Sequence, residues 1–383
     1  MVMKILFIGF AAGAVFLWVL IFGYAFGLAA AAALKKRKIS EPKFWPEIAV
    51  VIPTLNEEDL ILNKLDDLRK TDYPESLVEF VVVDGGSSDR TVARIQDEID
   101  KGRRVRLVRL NGVRKKIEQV NHALEHLPQE ILVFTDADAR LEPACIRRLV
   151  GLLSGDSRLA IAGASVSPAS DLIEERIHWR LVNFLWWLEG EVFASAGFSG
   201  VCYALWKKRA GWIHPDALTE DIYLALAARA SGWRVRTCPA ARSTELRTPE
   251  TVQGIFQYRR RRGSGYLTEL IRSKPQRSSP TQWRLVRRIR IGQFCLAPWL
   301  AVFLLALGTI LVFSEYRMIV LLSLGIFGLS ASSLIFFLNR DTVKSASVVK
   351  LGAAALRYGI VMLASLLTLS RHSTLQVPRG GRT

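Results

Sequence analysis

Two carboxylates, Asp136 and Asp138, stand one residue apart directly after an apolar run at residues 131–134. Four apolar residues in succession read as a buried strand, which puts both acids at its carboxyl end. In extended backbone, residues i and i+2 point to the same side, so Asp136 and Asp138 are expected to face one point. Two anionic oxygens converging there suit a hard divalent cation, Mg2+ or Mn2+, that keeps positions open for substrate phosphates. Ligands of open α/β sheets bind beyond the carboxyl ends of the strands. Alone, Asp-x-Asp reads equally as a polar turn capping the next segment. Further acids stand at comparable places. Asp84 ends a second strand-like run, residues 79–83, before the turn Gly85-Gly-Ser-Ser-Asp89. A carboxylate at a strand end can accept hydrogen bonds from a base or ribose, or from its own turn. Thr219-Glu220-Asp221 sits where a helix begins and serves either as capping chemistry or as a source of a general base. Gln257 lies just before four consecutive arginines, Arg259 to Arg262. Such a group grips a diphosphate through charge-assisted hydrogen bonds, or lies against anionic lipid headgroups.

The elements that must position these residues alternate. Residues 47–53 read as a strand, 54–58 as a loop and 59–70 as a helix, with Asn56 as its N-cap. Strands at 79–83 and 104–110 enclose a helix at 91–99. A helix at 114–126 carries Ile117, Val120, Ala123 and Leu124 on one stripe and leads to the strand before Asp136. Alternating strands and helices imply a mostly parallel sheet with right-handed crossovers, with Asp84 and Asp136 on the same rim. Residues 174–193, with Trp179, Trp186 and Trp187, read equally as an amphipathic helix at a membrane interface and as a core helix. A helix begins near Thr219. Another spans 248–262, and Gly263 and Gly265 are expected to end it. Residues 273–281 form a polar linker.

The 383 residues suffice for a large core, and hydrophobic residues make up 50% of them while charged residues still supply 23%. With a mean hydropathy of +0.21, this suggests a polar domain joined to membrane spans. Residues 5–34 are apolar, uncharged and long enough to cross a bilayer, too long for a secretory signal. Lys35, Lys36, Arg37 and Lys38 come next and are cytoplasmic by the positive-inside rule. Residues 294–313, 318–338 and 351–369 are further spans. In the last of these, Arg357 snorkels, faces a polar interior or marks a re-entrant segment. Arg287, Arg288 and Arg290 precede the first of the three, and Asn339, Arg340, Asp341 and Lys344 come after the second. The C-terminus falls outside by this count, against which Arg371, Arg379 and Arg382 argue weakly. The chain thus divides into 1–38, an N-terminal transmembrane helix; 39–292, a cytoplasmic catalytic domain with interfacial helices; and 293–383, a C-terminal region of about three spans. The four cysteines, Cys145, Cys202, Cys238 and Cys295, show no CxxC spacing and imply neither a zinc site nor a disulfide framework.

In order and spacing, Pro53-Thr-Leu-Asn-Glu57, Asp84-Gly-Gly-Ser-Ser-Asp89, Asp136-Ala-Asp138, Thr219-Glu-Asp221 and Gln257-Tyr-Arg-Arg260 resemble the membrane-bound family 2 glycosyltransferases. These include cellulose, chitin, hyaluronan and poly-N-acetylglucosamine synthases and ceramide glucosyltransferase. The likeness covers about residues 47–265. It implies a GT-A fold, an α/β domain that holds a nucleotide-sugar and a divalent metal, Mg2+ or Mn2+. By that resemblance Pro53, Thr54, Glu57 and Asp84 contact the nucleoside, and Lys116 touches the donor at its diphosphate. Asp136 contacts the sugar-nucleotide, Asp138 is the direct metal ligand, and Gln257 and Arg260 grip the diphosphate. Glu220 and Asp221 form the catalytic pair, with Asp221 the base. A single base with direct attack inverts the anomeric centre, so an α-linked donor yields a β-linked product. Where the family's pattern continues with a tryptophan lining the acceptor site, this chain has Arg261, which puts processive chain growth in question. Phe198-Ser199-Gly200 is placed in the acceptor wall.

The resulting expectation is an inverting, metal-dependent hexosyltransferase in the plasma or inner membrane, building a β-linked glycan, with single-sugar transfer to a membrane lipid as the alternative. A membrane transporter or channel with a degenerate domain is disfavoured by the complete acidic set. The net charge of +17 admits nucleic acid as a partner. No nucleic-acid module accompanies it, and the basic residues cluster at bilayer boundaries, which favours anionic membrane lipids instead. The sugar, the acceptor and any partner subunit are not specified by the sequence.

Overall fold

The computed structural model describes residues 1–35, 45–110, 112–113, 115–192, 195–273, 280–338 and 348–369. Lys36, Arg37, Lys38, Asn339, Arg340, Asp341, Lys344, Arg371, Arg379, Arg382 and most of the 273–281 linker lie outside the described residues.

The domain is built on eight strands: β1 (Ile48–Thr54), β2 (Val78–Asp84), β3 (Val105–Arg109), β4 (Ile131–Thr135), β5 (Ala139–Leu141), β6 (Leu159–Pro168), β7 (Cys202–Trp206) and β8 (Arg234–Glu245). They form one sheet in the order β3-β2-β1-β4-β7-β6-β8-β5. β1 pairs in parallel with β2 and β4, β2 with β3 and β6 with β8, while β7 and β5 pair antiparallel. The sheet is therefore mostly parallel, as the alternating pattern predicts. Every residue of β1 and β4 is buried. Alternation divides them between two cores. Ile48, Val50 and Ile52 pack with Ile61 and Leu65 of α3 (Ile61–Leu68) and Leu149 of α6 (Cys145–Gly155). Ala49 and Val51 pack with Ile117, Val120, Ala123 and Leu124 of α5 (Lys116–His126) and Leu224 of α9 (Glu220–Ala230). Thr54 is level with Asp84 and Val51 with Phe134, so β1, β2 and β4 end on one rim.

Among the described residues four helices are long and apolar enough to cross a membrane: Val2–Ala33, Thr281–Leu311, Arg317–Leu338 and Val349–Leu367. The first and second each contain a π turn, Val19–Gly23 and Gly292–Leu296. The second starts earlier than hydropathy suggests, because the basic segment continues into it without a break. Its Arg290 pairs with Glu189, and Gln293 donates to the Leu20 carbonyl at 2.8 Å.

The tryptophan-rich segment is α7 (Ile173–Val192), which packs on both the domain and the apolar helices. Trp179 packs with Ala139, Val166 and Val201 of the domain, while Leu188 and Val192 pack on Leu28 and Ile177 on Leu351 and Ala354 of the apolar helices. Arg357, itself exposed, donates to Glu174 of α7 at 2.6 Å. The helix expected to end at Gly263 and Gly265 instead runs on as α10 (Val252–Arg272). Glycine in a helix interior costs about 0.5–1 kcal/mol relative to alanine. Here a Cβ on Gly265 would lie 2.9 Å from Thr219 Cγ2, so the glycine admits the start of α9 rather than ending α10. Asn56 is not a helix N-cap, since α3 begins only at Ile61. With φ at 55°, it spans two loops, accepting from the Ser88 amide at 2.9 Å and donating its own amide to Ser87 Oγ at 2.9 Å.

Candidate active site

The rim at the ends of β1, β2 and β4 gathers most of the expected residues. β4 stops at Thr135, and Asp136-Ala137-Asp138 is a turn closed by the Ala139 amide on the Asp136 carbonyl at 3.2 Å, not the extended segment that i, i+2 alternation supposes. The chain has to leave β4 there to reach β8, on whose free edge β5 lies. Lys64, wholly buried, ties both sides of the turn, donating to Thr135 Oγ1 and the Ala139 carbonyl at 2.9 Å each. Burial pulls its ammonium down to about 8, against the pull of nearby Cys202 and Asp67.

Lys116, at the first turn of α5, is where the acids meet. Its Nζ lies 2.6 Å from Asp136 Oδ1 and 2.6 Å from Glu220 Oε1, and it donates to the Gly200 carbonyl at 3.3 Å. Burial opposes its charge, but Asp136 and Glu220 overcome that and raise it well above the usual lysine range. Burial pushes Asp136 up and Lys116 pulls it down, with Asp138 and Glu220 adding to the upward shift that results. Glu220, despite burial, ends below its ordinary value because of Lys116.

Asp221 follows Glu220 in the first turn of α9. Its Oδ2 accepts from the Gly200 amide at 3.1 Å and its Oδ1 from the Ile222 amide at 2.8 Å. Burial first and Glu220 second raise its carboxyl to about 6, against Arg262 and Lys116. A carboxylate tuned this way is ionised at neutral pH yet basic enough to take a proton. Gly200 belongs here because a Cβ would meet both Asp221 Oδ2 and Glu220 Oε1 at 3.1 Å.

The residues expected to contact the nucleoside are held by the protein itself. Asp84, 1% exposed, accepts from the Gly86 amide at 2.9 Å and from Ser87, which is the turn arrangement. Pro53 is in β1 beside Val83. Thr54 donates to the Ile52 carbonyl at 3.0 Å, and its own carbonyl accepts from Gln119 at 2.7 Å. Glu57 is gripped by both nitrogens of Arg247, at 2.7 and 2.6 Å.

Asp138 has a raised carboxyl, through burial and then Glu245, with Arg247 opposing and Glu57 adding to the repulsion. Glu245 accepts at Oε1 from Tyr258 at 2.9 Å and from Arg262 at 3.2 Å, while its buried Oε2 has no hydrogen-bond partner among the described residues. Mutually repelling carboxyl groups with an unpartnered oxygen fit a divalent cation. Among the described residues no three acidic, histidine or cysteine side chains form a closed metal cage. An ion would be held by one or two carboxylates and completed by substrate phosphates.

Gln257 and Arg260 are not brought to this cluster. Gln257 is exposed, Arg260 lies over Phe256 at 5.8 Å, and neither bonds to the rim carboxylates among the described residues. The helix instead brings Tyr258 and Arg262, one turn apart, to Glu245. Burial opposes the charge of Arg262, but Tyr258, Glu245, Asp221 and Asp136 hold it up. Arg259 is buried against Glu175, and Arg261 is exposed and lies over Tyr258 at 5.6 Å. Arg262, Arg247, Glu245 and Gln119 also bond at this rim, and sequence reasoning did not single them out. Only Arg262 left a signal, since it stands four residues after Tyr258 on a helix.

Comparison with known proteins bears on the family and the fold. The profile of Glycosyl transferase family 2 matches residues 49–201, and that of Glycosyl transferase family group 2 matches residues 131–357. A probable glycosyltransferase of Bacillus subtilis (strain 168), YdaM, is 28% identical over 240 residues, 59% of this chain and 57% of that protein. The chain therefore spans little more than half of that relative's length. Cellulose synthase 2 of Novacetimonas hansenii is 23% identical over 263 residues, 63% of this chain and 16% of that one. The mannosyltransferase PcManGT from Pyrobaculum calidifontis, solved in complex with GDP-Man and Mn2+, shares the fold. Its TM-score is 0.67 at 23% identity, covering 92% of this chain and 99% of that one.

Proposed function

Since the chain belongs to glycosyl transferase family 2 and has its GT-A fold, we propose that it moves a sugar from a nucleotide-diphosphate sugar to an acceptor hydroxyl, inverting the anomeric centre. The observation that carries this reading is the joining of motif acids at one rim. Lys116 bridges Asp136 and Glu220, and Gly200 links Lys116 to Asp221. Asp221 accepts the hydroxyl proton, the hydroxyl oxygen bonds to the anomeric carbon, and the bond from that carbon to the diphosphate oxygen breaks with its electron pair. Lys116 and Arg262 supply positive charge beside the departing diphosphate. Asp138, with Asp136 beside it, would hold Mg2+ or Mn2+. Such an ion, when bound, neutralises phosphate charge as a Lewis acid.

The four apolar helices fit a membrane protein. In the proposed orientation the catalytic domain is cytoplasmic. A single cysteine placed at Arg37, in a Cys295→Ser background, should react with an impermeant thiol reagent only from the cytoplasmic side, and one at Glu315 only from outside. Labelling of the Arg37 position from outside contradicts the orientation.

The favoured acceptor is a growing β-linked glycan. Transfer of one sugar to a membrane lipid is the second reading, favoured by Arg261, which stands exposed where chain-building relatives have an aromatic residue. An aromatic ring stacks on a sugar face, whereas a guanidinium binds a phosphate or headgroup. Purified protein given donor alone should yield oligomers that lengthen with time. A product of one added sugar, formed only when lipid is supplied, rejects the glycan reading.

A further inference from the structure

Segment 195–201 supplies backbone to three residues of the rim, Asp221, Lys116 and Asp136. The Gly200 amide holds Asp221, the Gly200 carbonyl accepts from Lys116, and the Val201 carbonyl accepts from the Asp136 amide at 3.0 Å. The segment is threaded through tight space, since a Cβ on Gly197 would come within 3.0 Å of Ile222 and Trp186. Its start is held from the side of the apolar helices by Glu189 of α7, which has no exposed surface. One oxygen of Glu189, Oε2, accepts from the Ala196 amide at 3.0 Å and from Ser195 Oγ at 3.4 Å. The other, Oε1, accepts from Tyr24 of the first apolar helix at 2.7 Å and pairs with Arg290 of the second at 2.6 Å. Arg290 also donates to Gln293, which reaches the Leu20 carbonyl in the π turn of the first helix. π turns inside α-helices recur at functional places, and here the two face each other across this link.

We propose that Glu189 is a positioning residue that couples the apolar helices to the proposed base, by fixing segment 195–201 in the register that orients Asp221 and Lys116. The reasoning is geometric. A wholly buried carboxylate is tolerated only where its lone pairs are met, and Glu189 meets them from three separate elements at once. Neither the sheet nor α9 supplies another side-chain acceptor to the Ala196 amide among the described residues. Loosening Tyr24 or Arg290 therefore changes how Glu189 holds Ala196, and through Gly200 how Asp221 is aimed.

The catalytic part of this inference rests on the proposed transferase reading, so its test includes a readout independent of turnover. Full-length protein in lipid nanodiscs is compared as wild type, Tyr24→Phe and Glu189→Gln. Tyr24→Phe removes one hydroxyl and leaves the apolar ring, which keeps the test open if Glu189→Gln fails to fold. Hydrogen exchange followed by mass spectrometry should show peptides covering 195–201 exchanging roughly fivefold faster in Tyr24→Phe, the order of one lost hydrogen bond. Peptides from β1 and β4 should be unchanged. Nucleoside diphosphate release from a panel of UDP- and GDP-sugars should fall in kcat by roughly the same fivefold, with donor KM within about twofold of wild type. Unchanged exchange at 195–201, or faster exchange spread evenly over the sheet, overturns the coupling. If wild type releases no diphosphate while exchange responds as expected, the transferase reading fails and the structural link stands.

Discussion

Replacing Asp221 with asparagine is expected to lower sugar transfer by roughly a hundredfold or more, the range for a lost general base. Donor affinity should stay near that of wild type. The substitution keeps shape and still accepts from the Gly200 amide, the contact now made at 3.1 Å, so α9 and segment 195–201 should stay in place. What it removes is basicity. Burial and the neighbouring Glu220 raise the Asp221 carboxyl to about 6. As a base it works ionised, so kcat/KM of wild type should be level above that value and fall by about tenfold per unit as pH drops below it. The groups facing this carboxyl are Glu220, Arg262 and Lys116, and the last two are cations throughout that range. The acid limb should vanish in Asp221→Asn. A donor affinity that collapses together with the rate would make Asp221 a structural cap of α9 instead.

Asp138→Ala carries the second large effect. The carboxyl groups of Glu245 and Glu57 both repel that of Asp138, and one oxygen of Glu245 is buried without a hydrogen-bond partner among the described residues. If a divalent ion balances them, chelation should abolish transfer, and added Mg2+ or Mn2+ should restore it. Asp138→Ala should reproduce the loss at roughly two to three orders of magnitude, the scale for removing an electrostatic contact to developing charge, and added metal should not rescue it. Full wild-type activity in excess chelator contradicts metal dependence.

Residues 47–135 were largely legible in the sequence. Their strands are short apolar runs and their helices carry clean stripes, so period alone separates them. The acids were legible too, because strand ends and helix starts are positions that sequence marks. Three features were not. The Asp136–Asp138 turn depends on β5 joining the far edge of the sheet, a pairing about a hundred residues distant in sequence, between Ala139 and Glu245. Gly263 and Gly265 looked like helix stops because a terminating glycine and a close-approach glycine are the same letter. Only the 2.9 Å distance from Gly265 to Thr219 tells them apart. The arginine of α10 that meets Glu245 at the rim proved to be Arg262, since which of four consecutive arginines faces the rim is decided by Tyr258 and Glu245, not by the run itself.

The central claim is that this rim transfers a sugar from a nucleotide-diphosphate sugar through Asp221. Its most direct test is mass spectrometry of the products formed by full-length protein and Asp221→Asn from a panel of nucleotide-sugars with Mn2+ in membrane lipid. Wild type is predicted to release nucleoside diphosphate from one donor class and to form an acceptor heavier by whole sugar units, with both signals lost in the variant. Equal product from wild type and Asp221→Asn, or no diphosphate released by wild type from any donor, would contradict it.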